Sequence, residues 1–193
     1  AQDPVSWGDL DGWFGPPSIA LDPAGTLQAA VEFHNVSSHN YRATVSRYVL
    51  EPDGWHVHDV PVPSVTGDGD PSLGFTSDGQ VRLAFDRTWP TAGIELDVAG
   101  STTTTIAASK QDTFPSLALS AAGERRLAFQ RRAAAAELML GTESTAWSFD
   151  PVASAPVPPS PTDLAVHSDD SSRIVTGGTL ATNRTGDWLT FDQ

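Results

Sequence analysis

The sequence contains no cysteine, which excludes disulfide bonds, thiolate nucleophiles and thiolate metal ligands together. Long apolar runs are missing too, since no stretch reaches the roughly 18 residues of a membrane-spanning helix. We therefore expect no membrane insertion. Basic residues are scarce, because 11 Lys and Arg stand against 24 Asp and Glu and give a formal net charge of −13. A charge of this sign repels phosphate backbones, so no nucleic-acid partner is expected.

Motifs of the common catalytic classes are absent as well. There is no Gly-x-Ser-x-Gly elbow, no His-Glu-x-x-His zinc motif and no phosphate-binding loop. Glycoside hydrolysis needs two carboxylates at a set separation, and among 24 acidic residues some pair always fits, so such a pair carries no information. We assign no catalytic residue and predict a protein that is not an enzyme.

The residues that are present favour many short β-strands. The chain has 193 residues, of which 39% are hydrophobic, and this is enough to fill a core. Its 16 Gly and 15 Pro are spread along the sequence between short apolar runs. That distribution is typical of strands joined by tight turns, so it predicts an all-β fold.

An internal repeat recurs four times, at intervals close to the roughly 45 residues of a propeller blade. In each copy apolar residues flank a turn, which is occupied by Gly25, Gly79, Gly123 or Asp170. Gly and Asp tolerate the positive φ that such turns require. Small residues also recur within the copies, as expected where inner strands crowd near an axis. The copies read PSIALDPAGTLQAAV from Pro17, PSLGFTSDGQVRLAF from Pro71, PSLALSAAGERRLAF from Pro115 and TDLAVHSDDSSRIVT from Thr162.

Each hairpin is followed by two more predicted strands. The third strands are predicted at 41–50, 93–98, 137–141 and 179–182, and the fourth at 54–57, 102–107, 146–149 and 187–190. The sequence thus predicts one domain over 1–193, a small β-propeller of four four-stranded antiparallel blades at about 17–62, 71–109, 115–152 and 162–193. A plain β-sandwich with chance similarity is the alternative.

Residues 1–16 do not fit the four copies, because Ser6 to Leu10 is predicted to form an extra N-terminal strand. Propellers usually close by sharing one blade between both termini, whereas the fourth copy already has its own outer strand. Three arrangements remain open. The extra strand adds to an edge, the chain is one piece of a larger ring, or two chains assemble to complete the propeller.

The repeat resembles the BNR/Asp-box repeats of sialidases and of some bacterial and fungal lectins. The resemblance rests on a polar turn followed by Trp before the outer strand, at Trp55, Trp147 and Trp188. No copy has the complete Asp-box, so the resemblance implies a propeller fold and the activity of sialidases is not carried over. The turns read Glu51-Pro52-Asp53-Gly54-Trp55, Thr142-Glu143-Ser144-Thr145-Ala146-Trp147 and Asn183-Arg184-Thr185-Gly186-Asp187-Trp188.

Loops on one propeller face are the candidate ligand site. Connections between strands two and three, and between successive blades, open on the same face. These loops offer an aromatic ring for stacking and polar groups for bidentate hydrogen bonding, which sugar recognition needs. Ordinary solvated turns are the alternative. The candidate ligand-binding residues are His34, Asn35, His39, Asp68, Asp70, Arg87, Trp89, Asp112 and Arg131.

Two patterns suggest metal binding without establishing it. Gly67-Asp68-Gly69-Asp70 resembles a calcium loop but lacks EF-hand spacing, so a turn is the simpler interpretation. His56 and His58 alternate along a predicted strand and would project from one face, as two zinc or nickel ligands would. No third ligand is evident in the sequence. The metal site therefore stays unknown, and we expect no cofactor, with calcium as the exception to test.

The leading hypothesis is a non-enzymatic binding module that recognises carbohydrate or a protein partner at a cell surface. The chain starts at Ala1 rather than Met, which fits a removed targeting segment, and we expect secretion or surface display. Two alternatives remain. The chain is a structural subunit of an extracellular assembly, or it is a fragment of a sialidase-like glycoside hydrolase.

Overall fold

A computed structural model gives the fold of the chain. It describes residues 12–37, 40–58, 68–87, 92–98, 103–107, 111–120, 122–132, 136–143, 145–154, 161–166, 171–177, 179–183 and 188–192. Every regular element in these ranges is a β-strand. Within them, no helix has the length and apolar character needed to cross a membrane.

Seventeen strands form four antiparallel sheets that follow one another along the chain. In the second, third and fourth sheets, strands consecutive in sequence are neighbours in space. This up-and-down order needs only short connections. The strands are β1 (Gly12–Phe14), β2 (Ser18–Leu21), β3 (Leu27–Ser37), β4 (Asn40–Glu51) and β5 (Gly54–His58) in the first sheet; β6 (Asp68–Phe75), β7 (Val81–Arg87), β8 (Gly93–Val98) and β9 (Thr103–Ala107) in the second; β10 (Asp112–Leu119), β11 (Arg125–Arg132), β12 (Ala136–Glu143) and β13 (Trp147–Ser154) in the third; and β14 (Thr162–Val166), β15 (Ser172–Thr176), β16 (Thr179–Asn183) and β17 (Trp188–Asp192) in the fourth.

We call the first strand of each sheet its inner strand. The first sheet has five strands because its inner strand is divided into β1 and β2. Both β1 and β2 pair with β3, Phe14 lying opposite Phe33 and Ile19 opposite Ala29. The inner strands β6 and β10 stay continuous, but each shifts register at a proline, Pro71 or Pro115. Proline has no N–H to donate to the ladder, so an interruption at this point is expected. The extra strand predicted before residue 11 lies outside the described residues.

Glycine turns close the first hairpin of three sheets, as predicted. Gly25, Gly79 and Gly123 have φ of 84°, 83° and 82°, where a side chain would be strained. In the first turn Asp22 Oδ1 accepts the N–H of Thr26 at 2.8 Å, an Asx interaction that holds the turn. The turn predicted at Asp170 lies outside the described residues.

The core consists of three apolar clusters, each filling the space between two consecutive sheets. Leu83 and Phe85 lie on the side of the second sheet that faces the first, and Ala84 and Ile94 lie on the side that faces the third. A third cluster, which includes Ile174, joins the third and fourth sheets. The two middle sheets are therefore buried on both faces, and their second strands read as nearly continuous buried runs.

Small residues of the repeat lie at buried positions of the second strands and at one close approach between first strands. Ala30, Ala84 and Ala128 are completely buried. A Cβ added at Gly74 would lie 2.9 Å from Leu119 Cδ1 of the next inner strand, so a larger residue would force that leucine side chain to move.

A repeated hydrogen bond ties each inner strand to the next. Ser18 Oγ accepts the N–H of Leu73 at 2.9 Å, and Ser72 Oγ accepts the N–H of Leu117 at 2.8 Å. Ser116 Oγ accepts the N–H of Leu164 at 2.9 Å. The serine always precedes the apolar residue that aligns across the repeat. The strand pairing confirms the predicted all-β fold and gives four antiparallel sheets.

Candidate functional site

A cavity of about 400 Å³ opens at the ends of the inner strands, and all four sheets contribute to its wall. The lining comes from the start of each inner strand and, in the fourth sheet, also from the end of β15 and the turn after it, so that both Ile19 and Val175 border the cavity. These are the two kinds of connection on which the ligand face was predicted. The wall combines carboxylates and hydroxyls with proline and phenylalanine surfaces, and it includes Pro16, Ser18, Asp70, Phe114, Thr162 and Asp163.

Two residues on this wall have an unusual backbone. Asp70 and Phe114 have φ of 46° and 55°, and each directly precedes a proline. Positive φ is tolerated by Asp but is an outlier for a bulky residue such as Phe. Such strain is costly and clusters at ligand sites, so it favours the cavity rim as a functional site.

An acidic group borders the cavity beneath Asp70. Glu32, which is buried, accepts the N–H of Asp70 at 3.3 Å and contacts His34 Nε2. Two glycines make room for its carboxylate, since a Cβ at Gly15 or Gly69 would lie 2.5 Å or 2.7 Å from a Glu32 oxygen. The first two sheets thus hold two carboxyl groups and an imidazole together, out of bulk water.

Burial controls the protonation of this group. Desolvation and the nearby Glu32 charge raise the pKa of Asp70 to about 6, although His34 opposes the shift. Burial also raises the pKa of Glu32 and lowers that of His34. A carboxyl group that titrates near neutrality at a cavity wall can accept or donate a hydrogen bond to a ligand, depending on pH.

Other predicted site residues form internal contacts. Arg131 donates two hydrogen bonds to the buried Asp112 carboxylate, at 2.8 Å and 2.9 Å. Its guanidinium lies over Phe129, 5.4 Å from the ring centroid, and the buried Arg87 lies over Phe85 in the same way. Because Asp112 and Arg131 satisfy each other, this pair ties β10 to β11 instead of offering open binding groups.

The remaining predicted residues are only partly covered by the structure. Asn35 lies in β3 and Asp68 in β6, where their backbones pair with Arg42 and Arg87. His39 and Trp89 lie outside the described residues. Of the predicted set, the structure brings His34 and Asp70 together and pairs Asp112 with Arg131.

Sequence reasoning missed Glu32, the residue that links His34 to Asp70. It lies in the middle of β3 and looks like an ordinary surface position of a strand. Glycines at 15 and 69 are the only signal in the sequence that a large side chain needs space there. That signal becomes meaningful only once β1, β3 and β6 are known to be adjacent.

The predicted metal ligands His56 and His58 acquire partners in the structure. His56 Nε2 lies 2.8 Å from Asp53 Oδ1 and 3.9 Å from Glu51 Oε2, while His58 Nε2 lies 3.7 Å from Glu51 Oε1. Two ligands about 2.1 Å from one zinc ion lie roughly 3.4 Å apart, so the spacing would suit a metal. The hydrogen bond to Asp53 raises the pKa of His56, and this exposed hydrogen-bonded pair accounts for the geometry without an ion.

The predicted calcium loop takes a different form. Asp68 and Gly69 belong to β6 and pair with Arg87 and Asp86 in the antiparallel ladder, so this segment is strand rather than an open turn. Gly67 lies outside the described residues. Among the described side chains, the group able to offer three metal ligands is Glu51, Asp53 and His56.

Comparison with known proteins supports the fold alone. No protein-family model matches the sequence, and no curated protein matches it. A protein of unknown function from Dyadobacter fermentans DSM 18053 has a similar crystal structure, with a TM-score of 0.67 and 12% identity over 95% of this chain and 71% of that one. A fucose lectin from Kordia zhangzhouensis, solved with methyl-fucoside, aligns over 70% of this chain and 97% of that one, at 12% identity. Its TM-score of 0.46 is too low to indicate a shared fold.

Proposed function

We propose that this chain is a non-enzymatic carbohydrate-binding module, and that its four sheets are blades of a degenerate Asp-box β-propeller. The observation that carries the proposal is the cavity of about 400 Å³, to whose wall all four sheets contribute. Small-molecule sites typically measure about 300–1,000 Å³, so one or two sugar rings fit this space. A site at the meeting point of repeated units is also where propellers offer a concave surface.

The chemistry of the wall suits a neutral sugar. Asp70 supplies carboxylate oxygens, which accept hydrogen bonds from sugar hydroxyls. Pro16 and Phe114 supply apolar surface for the C–H faces of a ring. With carboxylates on the wall and a net charge of −13, an anionic sugar is disfavoured.

The absence of catalysis is part of the proposal. A sialidase-like site needs guanidinium groups directed at the carboxylate of the substrate. Arg131, one of the predicted ligand-binding residues, donates two hydrogen bonds to Asp112 at 2.8–2.9 Å. Binding without turnover is therefore the function that the contacts favour. The expected setting is a secreted or surface-exposed protein that recognises a glycan there.

The test is a glycan array followed by titration of the best ligand, with and without calcium. Asp70→Asn keeps the size of the side chain and suits the positive φ, but it removes the charge, so we expect affinity for a neutral sugar to fall at least about tenfold. Trp89→Ala tests the predicted stacking ring in parallel. Asp150→Asn, at an exposed position on β13, is the matched control and should bind normally.

Two results would overturn the proposal. A blank array with well-folded protein would sink carbohydrate recognition and would favour a protein partner at the same face. Turnover of a glycoside reporter that disappears in Asp70→Asn would sink the non-enzymatic part.

A further inference from the structure

One face of the first sheet exposes a continuous apolar surface. Cross-strand partners share a face, and Ile19 pairs with Ala29, which pairs with Tyr48, which pairs with Val57. Leu21 lies two residues beyond Ile19 and so joins the same face. Of the seven large hydrophobic side chains that are exposed in the described residues, six lie on this face: Phe14, Ile19, Leu21, Leu50, Trp55 and Val57.

The equivalent positions of the other sheets are covered by a neighbour. Ile19 is 60% exposed, whereas the aligned residues Leu73, Leu117 and Leu164 are 6%, 6% and 9% exposed. Each of those three packs against the preceding sheet. The first sheet therefore exposes the face that, in each of the other three sheets, packs against the preceding sheet.

The outer strand shows the same contrast. Trp147 pairs with Glu143 and packs on the cluster between the second and third sheets, where its ring stacks with Phe149 at 5.9 Å. Trp55 pairs with Leu50 in the matching register, yet it is 37% exposed. Among the described residues, the tryptophan at this position is therefore more exposed in the first sheet than in the third.

The fourth sheet exposes the opposite, complementary face. In β14 and β15 buried and exposed residues alternate at nearly every position, so one face packs on the third sheet and the other is open. Val175 is 49% exposed, although the aligned Ala30, Ala84 and Ala128 are fully buried. With Ala165, Leu180 and the charged Asp163 and Arg173 it lines a shallow groove of about 560 Å³ on this open face.

Within the described residues, the hydrogen bonds between inner strands join the first sheet to the second, the second to the third and the third to the fourth. Ser18, Ser72 and Ser116 each accept the N–H of the aligned apolar residue in the next sheet. Asp163 stands where those serines stand, is exposed, and can accept a hydrogen bond. The N–H of Ile19 is the equivalent donor. A fourth bond of the series would join Asp163 to Ile19 of whatever covers the first sheet.

We propose that a second copy of this chain covers both faces, with the first sheet of one copy packing on the fourth sheet of the other. This proposal rests on the propeller arrangement proposed above. Each copy carries both halves of the joint, and the new interface continues the three sheet-to-sheet interfaces already present within the chain. A twofold pair then forms two identical interfaces, which hide the apolar faces.

The first experiment measures molar mass by light scattering and sedimentation over a range of concentrations. The unaltered chain should have twice its 20.4 kDa mass. Leu21→Asp on the first sheet and Val175→Asp on the fourth should each give monomers, because each places a charge in an apolar joint. Ser148→Asp, which adds the same charge at an exposed position of β13, should stay dimeric.

Mixing the two monomeric variants tests the direction of the joint. Leu21→Asp retains an intact fourth-sheet face and Val175→Asp retains an intact first-sheet face. A one-to-one mixture should therefore recover dimer through one intact joint, while each variant alone stays monomeric. If two first-sheet faces paired with each other instead, Val175→Asp alone would remain dimeric.

A concentration-independent monomer mass for the unaltered chain would overturn this proposal, as would failure of the mixture to associate while circular dichroism shows both variants folded. Sugar binding by a monomer would sink the dimer and leave the proposed function standing. A dimer that binds no sugar on the array would support the dimer and overturn the proposed carbohydrate recognition.

Discussion

Asp70 is the residue at which local backbone, burial and charge conflict most. It adopts a positive φ before Pro71, is half-buried beside Glu32, and has a pKa raised to about 6. Folding moves its carboxyl group out of water and next to a second acid, so the charged form is disfavoured. A residue kept in such a position destabilises the fold at neutral pH, which suggests that its charge serves the cavity.

The raised pKa makes stability depend on pH. In the unfolded chain Asp70 titrates near 3.8, and in the folded protein near 6. The stability contributed by the protonated form is present below 3.8 and is lost as pH rises through 6; Glu32, whose pKa is also raised, acts in the same direction. Asp70→Asn stays neutral, so at pH 7.5 it should be more stable than the unaltered chain by at most about 3 kcal/mol.

Urea unfolding at pH 5 and pH 7.5 checks this. The unaltered chain should lose more stability between the two pH values than Asp70→Asn does. Equal losses in both proteins would show that Asp70 is not the titrating group.

At the scale of the strand, hydrogen bonds made by the free edges of the inner strands link one sheet to the next. An inner strand has a ladder neighbour on one side only, so its other N–H groups need partners elsewhere. Ser116 supplies one for Leu164 at 2.9 Å, across the joint between the third and fourth sheets. The same device recurs in each joint, which explains why serine follows proline in three copies of the repeat.

Removing one such hydroxyl should weaken one joint. Ser116→Ala leaves the N–H of Leu164 buried without its acceptor, at an expected cost of about 1–3 kcal/mol in the free energy of unfolding. Ser148→Ala, at an exposed position, should change it by less than about 0.5 kcal/mol. Chemical denaturation of both variants measures the difference. Equal, small effects would mean that water replaces the lost hydroxyl.

At the scale of the whole molecule, the architecture consists of three interfaces between consecutive sheets and one uncovered face on each end sheet. The middle sheets are buried on both faces, whereas the first and fourth each have one bare face with exposed apolar residues such as Leu21 and Val175. Sheets that depend on neighbours gain stability from each joint they form. The end sheets should therefore be the least stable part of an isolated copy.

Closing the joint between copies should couple stability to concentration. If folded chains associate and unfolded chains do not, the melting temperature must rise with protein concentration. We expect this rise for the unaltered chain and a flat response for Leu21→Asp. Scanning calorimetry over a hundredfold concentration range measures it. A flat response in both proteins would mean that the joint contributes nothing to stability.

Much of the local structure could be predicted from the sequence, because it depends on neighbours along the chain. Turn glycines, alternating apolar residues and recurring Pro-Ser pairs specify the hairpins, and the predicted third and fourth strands lie within or beside β4, β8, β12, β16 and the outer strands that follow them. Trp55, Trp147 and Trp188 occupy matching register positions, as the repeat indicated. The all-β class followed from these patterns.

The candidate site and the open joint were decided by tertiary structure. Glu32 meets Asp70 only because β3 and β6 come together, and a lone acid in a strand carries no sign of that contact. The sequence predicted Asp112 and Arg131 as binding groups, but the strand ladder places them opposite each other. Ile19 and Leu73 are equivalent in sequence, yet one is exposed and the other buried. A repeat determines what each sheet is, but burial depends on which sheet lies beside it.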